Sequence, residues 1–162
     1  MTFAELAASP TAELERRLRA GNAPDLAALR DTEWRGWNVS NMTEVLRIRK
    51  FIKGFFSTPL EGYNKPARQN GWDGPWEAVG GRFGFYTLAP VVPGTSDSLY
   101  PNAALLDYGA SPRNASYRVE RVLRDYIVLP DPGQPDLLLG KAYIALGGLR
   151  VPAGFFILHR IR

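Results

Sequence analysis

The stretch RVERVLRDYIVLPDPGQPDLLLGKAYIALGGLRVPAGFFILHRI, residues 118–161, decides the fold. It holds three apolar-rich runs, 118–129, 137–146 and 153–161, separated by Pro130-Asp131-Pro132-Gly133 and by Gly147-Gly148. Short runs of this kind between Gly/Pro breakers predict strands, and a Gly-Gly pair predicts a two-residue hairpin turn. Upstream, 82–89 (ended by Pro90) and 103–108 read the same way, and Glu33-Trp34-Arg35-Gly36-Trp37-Asn38 alternates like a short strand. Several strands at short spacing predict a mainly β domain, an antiparallel barrel or sandwich with N-terminal helices. Because the helices come first and the strands follow, an α+β fold with an open antiparallel sheet is the alternative.

Residues 1–30 predict the helices. Ala4, Leu6 and Ala7 begin a short one that Ser9-Pro10 ends. Thr11 stands where a second helix would be capped, Glu13 and Glu15 suit its first turns, and Gly21-Asn22 stops it. Pro24 opens one more turn through Leu26 and Leu29. Residues 42–53 carry both periods. Val45, Ile48 and Ile52 suit a helix whose other side holds Arg47, Arg49, Lys50 and Lys53, whereas Leu46, Ile48, Lys50 and Ile52 alternate as in a strand. The helix is the expectation. Residues 57–80 are dense in Gly, Pro, Asn and aromatics and predict a long loop or a pair of irregular strands.

The chain of 162 residues suits one domain, a helical segment at 1–30 followed by a β-rich barrel at 31–162. It has no Cys and one His, which excludes disulfides, thiolate chemistry, iron–sulfur clusters and multi-His metal sites within one chain. Gly80-Gly81-Arg82-Phe83-Gly84 lacks the Lys-Ser/Thr of a phosphate-binding loop, and no G-x-S-x-G elbow marks a nucleophilic Ser. No apolar run reaches membrane-span length, and the N-terminus lacks a secretory pattern, so a cytoplasmic location is expected. The net charge of +4 is too mild to demand a polyanion, and no nucleic-acid partner is expected. The basic residues Arg47, Arg49, Lys50 and Lys53 suggest weak contact with an anionic surface.

Candidate site residues follow from charges set in apolar strands. In a hairpin centred on Gly133, Ile127 faces Leu139, Leu123 faces Tyr143 and Asp125 faces Lys141. That pair lies either on the solvated side of the sheet or at the floor of a ligand cavity, and a shift of one residue would break it. Asp107 sits in another apolar strand and is a second candidate. Tyr63, Trp72 and Trp76 belong to the aromatic loop and suit a lid or rim, or a plug at a barrel end. His159 reads as a hydrogen-bonded structural residue sharing a face with Phe155, Ile157 and Ile161. A haem ligand or a lone general base are its sharper alternatives.

Two short motifs resemble the calycin family of lipocalin-like barrels. Trp34-Arg35-Gly36-Trp37 is similar to its first-strand Gly and Trp motif, and Arg160 or Arg162 to the basic residue of its last strand. The resemblance implies a cation–π contact that seals one barrel end and a cup for a small apolar or amphipathic molecule. In that cup Asp125, Lys141 and Tyr143 would orient a polar group, with Trp72 and Trp76 at the mouth. The expected function is therefore non-catalytic binding of a small hydrophobic or amphipathic ligand. The alternatives are an enzyme using Asp107 or Asp125 as base with Tyr126 or Tyr143 as acid, and a surface-association module built on 47–53.

Overall fold

A computed structural model describes residues 1–39, 48–58 and 60–162. Two helices, α1 (Phe3–Ala7) and α2 (Thr11–Ala20), precede eight strands. These are β1 (Glu33–Asn38), β2 (Lys50–Phe55), β3 (Glu61–Pro66), β4 (Phe83–Pro90), β5 (Ala104–Asp107), β6 (Leu123–Val128), β7 (Leu137–Leu146) and β8 (Leu149–Arg160). Each strand pairs antiparallel with the next, and β8 returns to β1, so the sheet closes into a barrel. Closure removes every sheet edge. This is the mainly β antiparallel barrel with N-terminal helices expected from the sequence, and it is consistent with a lipocalin-like barrel. No helix among the described residues is long and apolar enough to cross a membrane.

The strands alternate between two cores. Trp34, Tyr86, Leu106, Ile127, Leu138 and Leu158 point into the barrel and pack together with Leu29, which lies in the turn before β1. Tyr126, Val128, Leu139, Phe155 and Ile157 point outward, yet they are equally buried, because Phe3 and Leu6 of α1 and Leu14 and Leu18 of α2 cover them. Strands apolar on both faces thus have partners on both faces. Thr2 caps α1, exchanging hydrogen bonds with Glu5 in a capping box, whereas Thr11 is the first residue of α2 and makes no cap.

Three expectations change. Residues 50–53, expected to be helical, lie in β2, and 42–47 of the same expected helix fall outside the described residues. The strand period wins because β2 has paired neighbours on both sides, which no helix there would satisfy. The loop expected over 57–80 contains β3, Glu-Gly-Tyr-Asn-Lys-Pro, a sequence with little strand propensity. Glycines let it pair closely. A Cβ on Gly54 would meet the Tyr63 ring at 2.3 Å, and one on Gly62 would meet the Tyr86 ring at 2.3 Å. Residues expected to open a strand at 118 form a single 3₁₀ turn, Val119–Val122, before β6 begins.

Candidate functional site

One end of the barrel is closed. Trp34 is fully buried there, its indole N–H donates to Thr32, and the Arg160 guanidinium lies 4.9 Å from its ring centroid. Arg160 also pairs with Asp136 at 2.8 Å. The other end opens into a cavity of about 190 Å³, with Phe51, Phe83, Leu123, Ala142 and Phe156 among its apolar walls and Asn38 and Ile48 at its lining. Two glycines shape it. A Cβ on Gly36 would strike the Phe51 ring at 2.4 Å, and one on Gly140 the Phe156 ring at 2.2 Å, so both rings lie flat against the wall. The rings meet edge to face at 5.9 Å.

The polar part of the cavity comes from three inward-facing strand residues, Lys53, Asn64 and Asp125, and from Tyr108 just after β5. Lys53 on β2 donates to Asp125 Oδ2 on β6 at 3.0 Å and to the Tyr108 hydroxyl at 2.7 Å. Tyr108 donates to the same Oδ2 at 2.9 Å, and Asn64 Nδ2 donates to Tyr108 at 3.1 Å and to the Gly84 carbonyl at 2.9 Å. Rings surround the ammonium, with Tyr86 at 4.6 Å, Tyr108 at 5.3 Å and Phe156 at 5.4 Å from it. A buried charge costs several kcal/mol unless it is paired and hydrogen-bonded, and here it is both. Burial lowers the Lys53 pKa, and Asp125 opposes that shift. Burial, then the Asp125 charge, pushes the Tyr108 hydroxyl well above its usual value. Among the described residues Asp125 Oδ1 takes no hydrogen bond, which leaves an acceptor beside the cavity.

The comparisons found no match. No family model, curated protein or solved structure is similar to the chain. The functional reading therefore rests on geometry alone.

Of the ligand-site candidates read from the sequence, only Asp125 lines this cavity, joined by Lys53, which the sequence suggested for an anionic surface instead. The β6–β7 register sets Asp125 against Ala142 and Tyr126 against Lys141, one residue away from the expected pairing. Asp125 thus turns inward and Lys141 outward. Lys141 bonds Glu15 of α2 at 2.7 Å and the Tyr100 hydroxyl at 3.1 Å, and Tyr143 bonds Tyr100 at 2.8 Å. They dock a helix on the barrel wall. Asp107 accepts from the Gly109 and Ala110 amides and pairs with Arg124 at 3.0 Å, a turn-closing role. Tyr63 donates to Glu33 outside the barrel at 2.7 Å. Trp72 and Trp76 pack with Phe3 and Trp37 on the outer wall, away from the mouth.

Among the described residues the basic stretch shares no exposed face. Lys53 is inside, Lys50 is buried outside with its ammonium on Asn70 and the Gly74 carbonyl, and Arg47 lies outside the described residues. Arg49 bonds the Asn38 carbonyl. His159 faces outward on β8 as the alternation predicts, opposite Arg35 on β1. It makes no hydrogen bond among the described residues, contrary to the structural reading. Sequence reasoning missed Asn64 and Tyr108 and gave Lys53 a surface role instead of its place in the lumen. The alternation of Phe51, Lys53 and Phe55 was the available signal, hidden by the helical period of the same residues.

Proposed function

We propose that the protein binds a small hydrophobic or amphipathic molecule in the barrel lumen without transforming it. The observation that carries this reading is the 190 Å³ apolar cavity with the Lys53–Asp125–Tyr108 network at its side. Apolar walls with a few convergent polar groups are what small-molecule sites need. A dry cavity of about 150 Å³ holds benzene, so this volume fits a substituted single ring or a short branched chain. The free acceptor on Asp125 favours a ligand that brings a hydroxyl or amine. The closed meander and the Arg160–Trp34 stack support kinship with calycin barrels.

The enzyme alternative has less support. Asp125 is already committed to Lys53 and Tyr108 and so makes a poor general base. Asp107, Tyr126 and Tyr143 lie outside the lumen with other partners.

Calorimetric titration with p-cresol tests the reading. Binding with little salt dependence is expected, and Ala142→Trp should abolish it by filling the cavity while the thermal transition is retained. Wild-type affinity in a folded Ala142→Trp protein would overturn the assignment to the lumen.

A further inference from the structure

A second concavity lies outside the barrel, where α1, the 72–76 segment and the outer faces of β1 and β8 converge. It consists of two adjoining clefts of about 420 and 630 Å³ that share Arg35, Trp72, Trp76 and His159. Both volumes fall in the range of small-molecule sites, roughly 300–1,000 Å³.

Arg35 is the unusual residue there. Its guanidinium touches two rings, 4.9 Å from the Phe3 centroid and 5.3 Å from that of Trp76, which are themselves 6.0 Å apart. Among the described residues it has no carboxylate partner, and its buried Nε makes no hydrogen bond. A buried donor left unsatisfied costs about 1–3 kcal/mol. The neighbouring Arg160 also has a buried Nε without a hydrogen bond, but unlike Arg35 it keeps a carboxylate partner, Asp136 at 2.8 Å. Lys50, 4.0 Å from the Trp76 ring, adds positive charge beside the cleft, and Asp73 in the lining of the second cleft, with Glu77, partly offsets it. The two ring contacts restrict the planar fork, so less freedom is lost when an anion binds two of its N–H groups.

We propose that this cleft is a second binding site, separate from the lumen, for a planar aromatic anion. Its carboxylate or phosphate pairs with Arg35, and its ring packs on Trp72 and Trp76. Trp72 is stacked on Phe3 at 5.1 Å and edge-on to Trp37 at 4.9 Å, so the aromatic wall is braced before any ligand arrives. His159, directly across the strand pair from Arg35, reports occupancy. Burial, then the Arg35 charge, holds its pKa below the usual value, and Asp136 opposes them. An anion on Arg35 cancels the second effect.

The test compares 2-naphthoate, 2-naphthyl phosphate and the neutral 2-naphthalenemethanol by calorimetry, with His159 followed by NMR. One or both anions should bind at least about tenfold more tightly than the alcohol, the tighter one identifying the anionic group. Saturation should raise the His159 titration midpoint. Arg35→Gln should erase the preference for the anion, and Arg35→Lys should restore only part of it. Ala142→Trp should leave anion binding intact, which separates this site from the lumen. Equal affinity for the alcohol, unchanged binding by Arg35→Gln, or loss of anion binding in Ala142→Trp would each overturn the proposal.

Discussion

Lys53 and Asp125 meet at 3.0 Å across the lumen although their strands are not neighbours, since β2 pairs with β1 and β3 and β6 with β5 and β7. The pair therefore ties opposite walls together. Removing one partner leaves the other charge buried and alone. Lys53→Met should cost about 3–5 kcal/mol in urea unfolding at neutral pH. The double variant Lys53→Met/Asp125→Leu should recover most of that loss. A double variant no more stable than the single one would contradict the cross-barrel pairing.

Gly140 sets the size of the lumen. Its missing side chain leaves room for the Phe156 ring, which a Cβ would meet at 2.2 Å. Gly140→Ala should push that ring into the cavity and weaken p-cresol binding about tenfold or more, with a stability loss of about 1–3 kcal/mol. Calorimetry and urea unfolding read the two effects separately.

Lys141 belongs to the helix-docking network. Lys141→Met should leave lumen binding unchanged while costing about 1–3 kcal/mol through Glu15 and Tyr100. Hydrogen exchange should accelerate in α2 before it does in the barrel strands. A loss of ligand affinity without faster exchange in α2 would instead put Lys141 in the ligand site.

Acid sensitivity should trace partly to Asp97. Burial works to raise its pKa, but the Arg150 hydrogen bond, with the Arg150 and Arg124 charges, outweighs that and lowers it. A carboxylate with a lowered native pKa adds stability that is complete above its unfolded value, near 3.9, and is lost as pH falls through the native value. Asp97→Asn should therefore be less stable than wild type at pH 7 and show a shallower decline below about pH 4. Parallel unfolding curves across that range would remove Asp97 from the account.

The barrel was legible because β4 to β8 carry apolar runs between strong breakers, and breakers report on chain direction whatever the partners are. The site was less legible because it depends on which face each residue takes. One residue of register between β6 and β7 separated Asp125 from Lys141 and sent them to different environments. No local pattern fixes that offset, since both strands are apolar on both faces. Lys53 was hidden for a different reason, its segment matching two periods at once and strand pairing deciding between them. The Arg35 cleft needs four distant pieces of chain, residues 3, 35, 72–76 and 159, and sequence spacing says nothing about their meeting.

The helices that cover β5 to β8 have a consequence for solution behaviour. A barrel without edges cannot grow by adding strands, so sideways aggregation through the backbone is closed to it. The outer side built from Leu105, Tyr126, Val128, Leu139, Phe155 and Ile157 is a broad apolar flank, and α1 and α2 cover it. A chain cut after Ala20 would keep its cup and bare a greasy flank to every other copy. The first twenty residues thus shield that flank, and any loosening of them would expose apolar surface that other copies could meet.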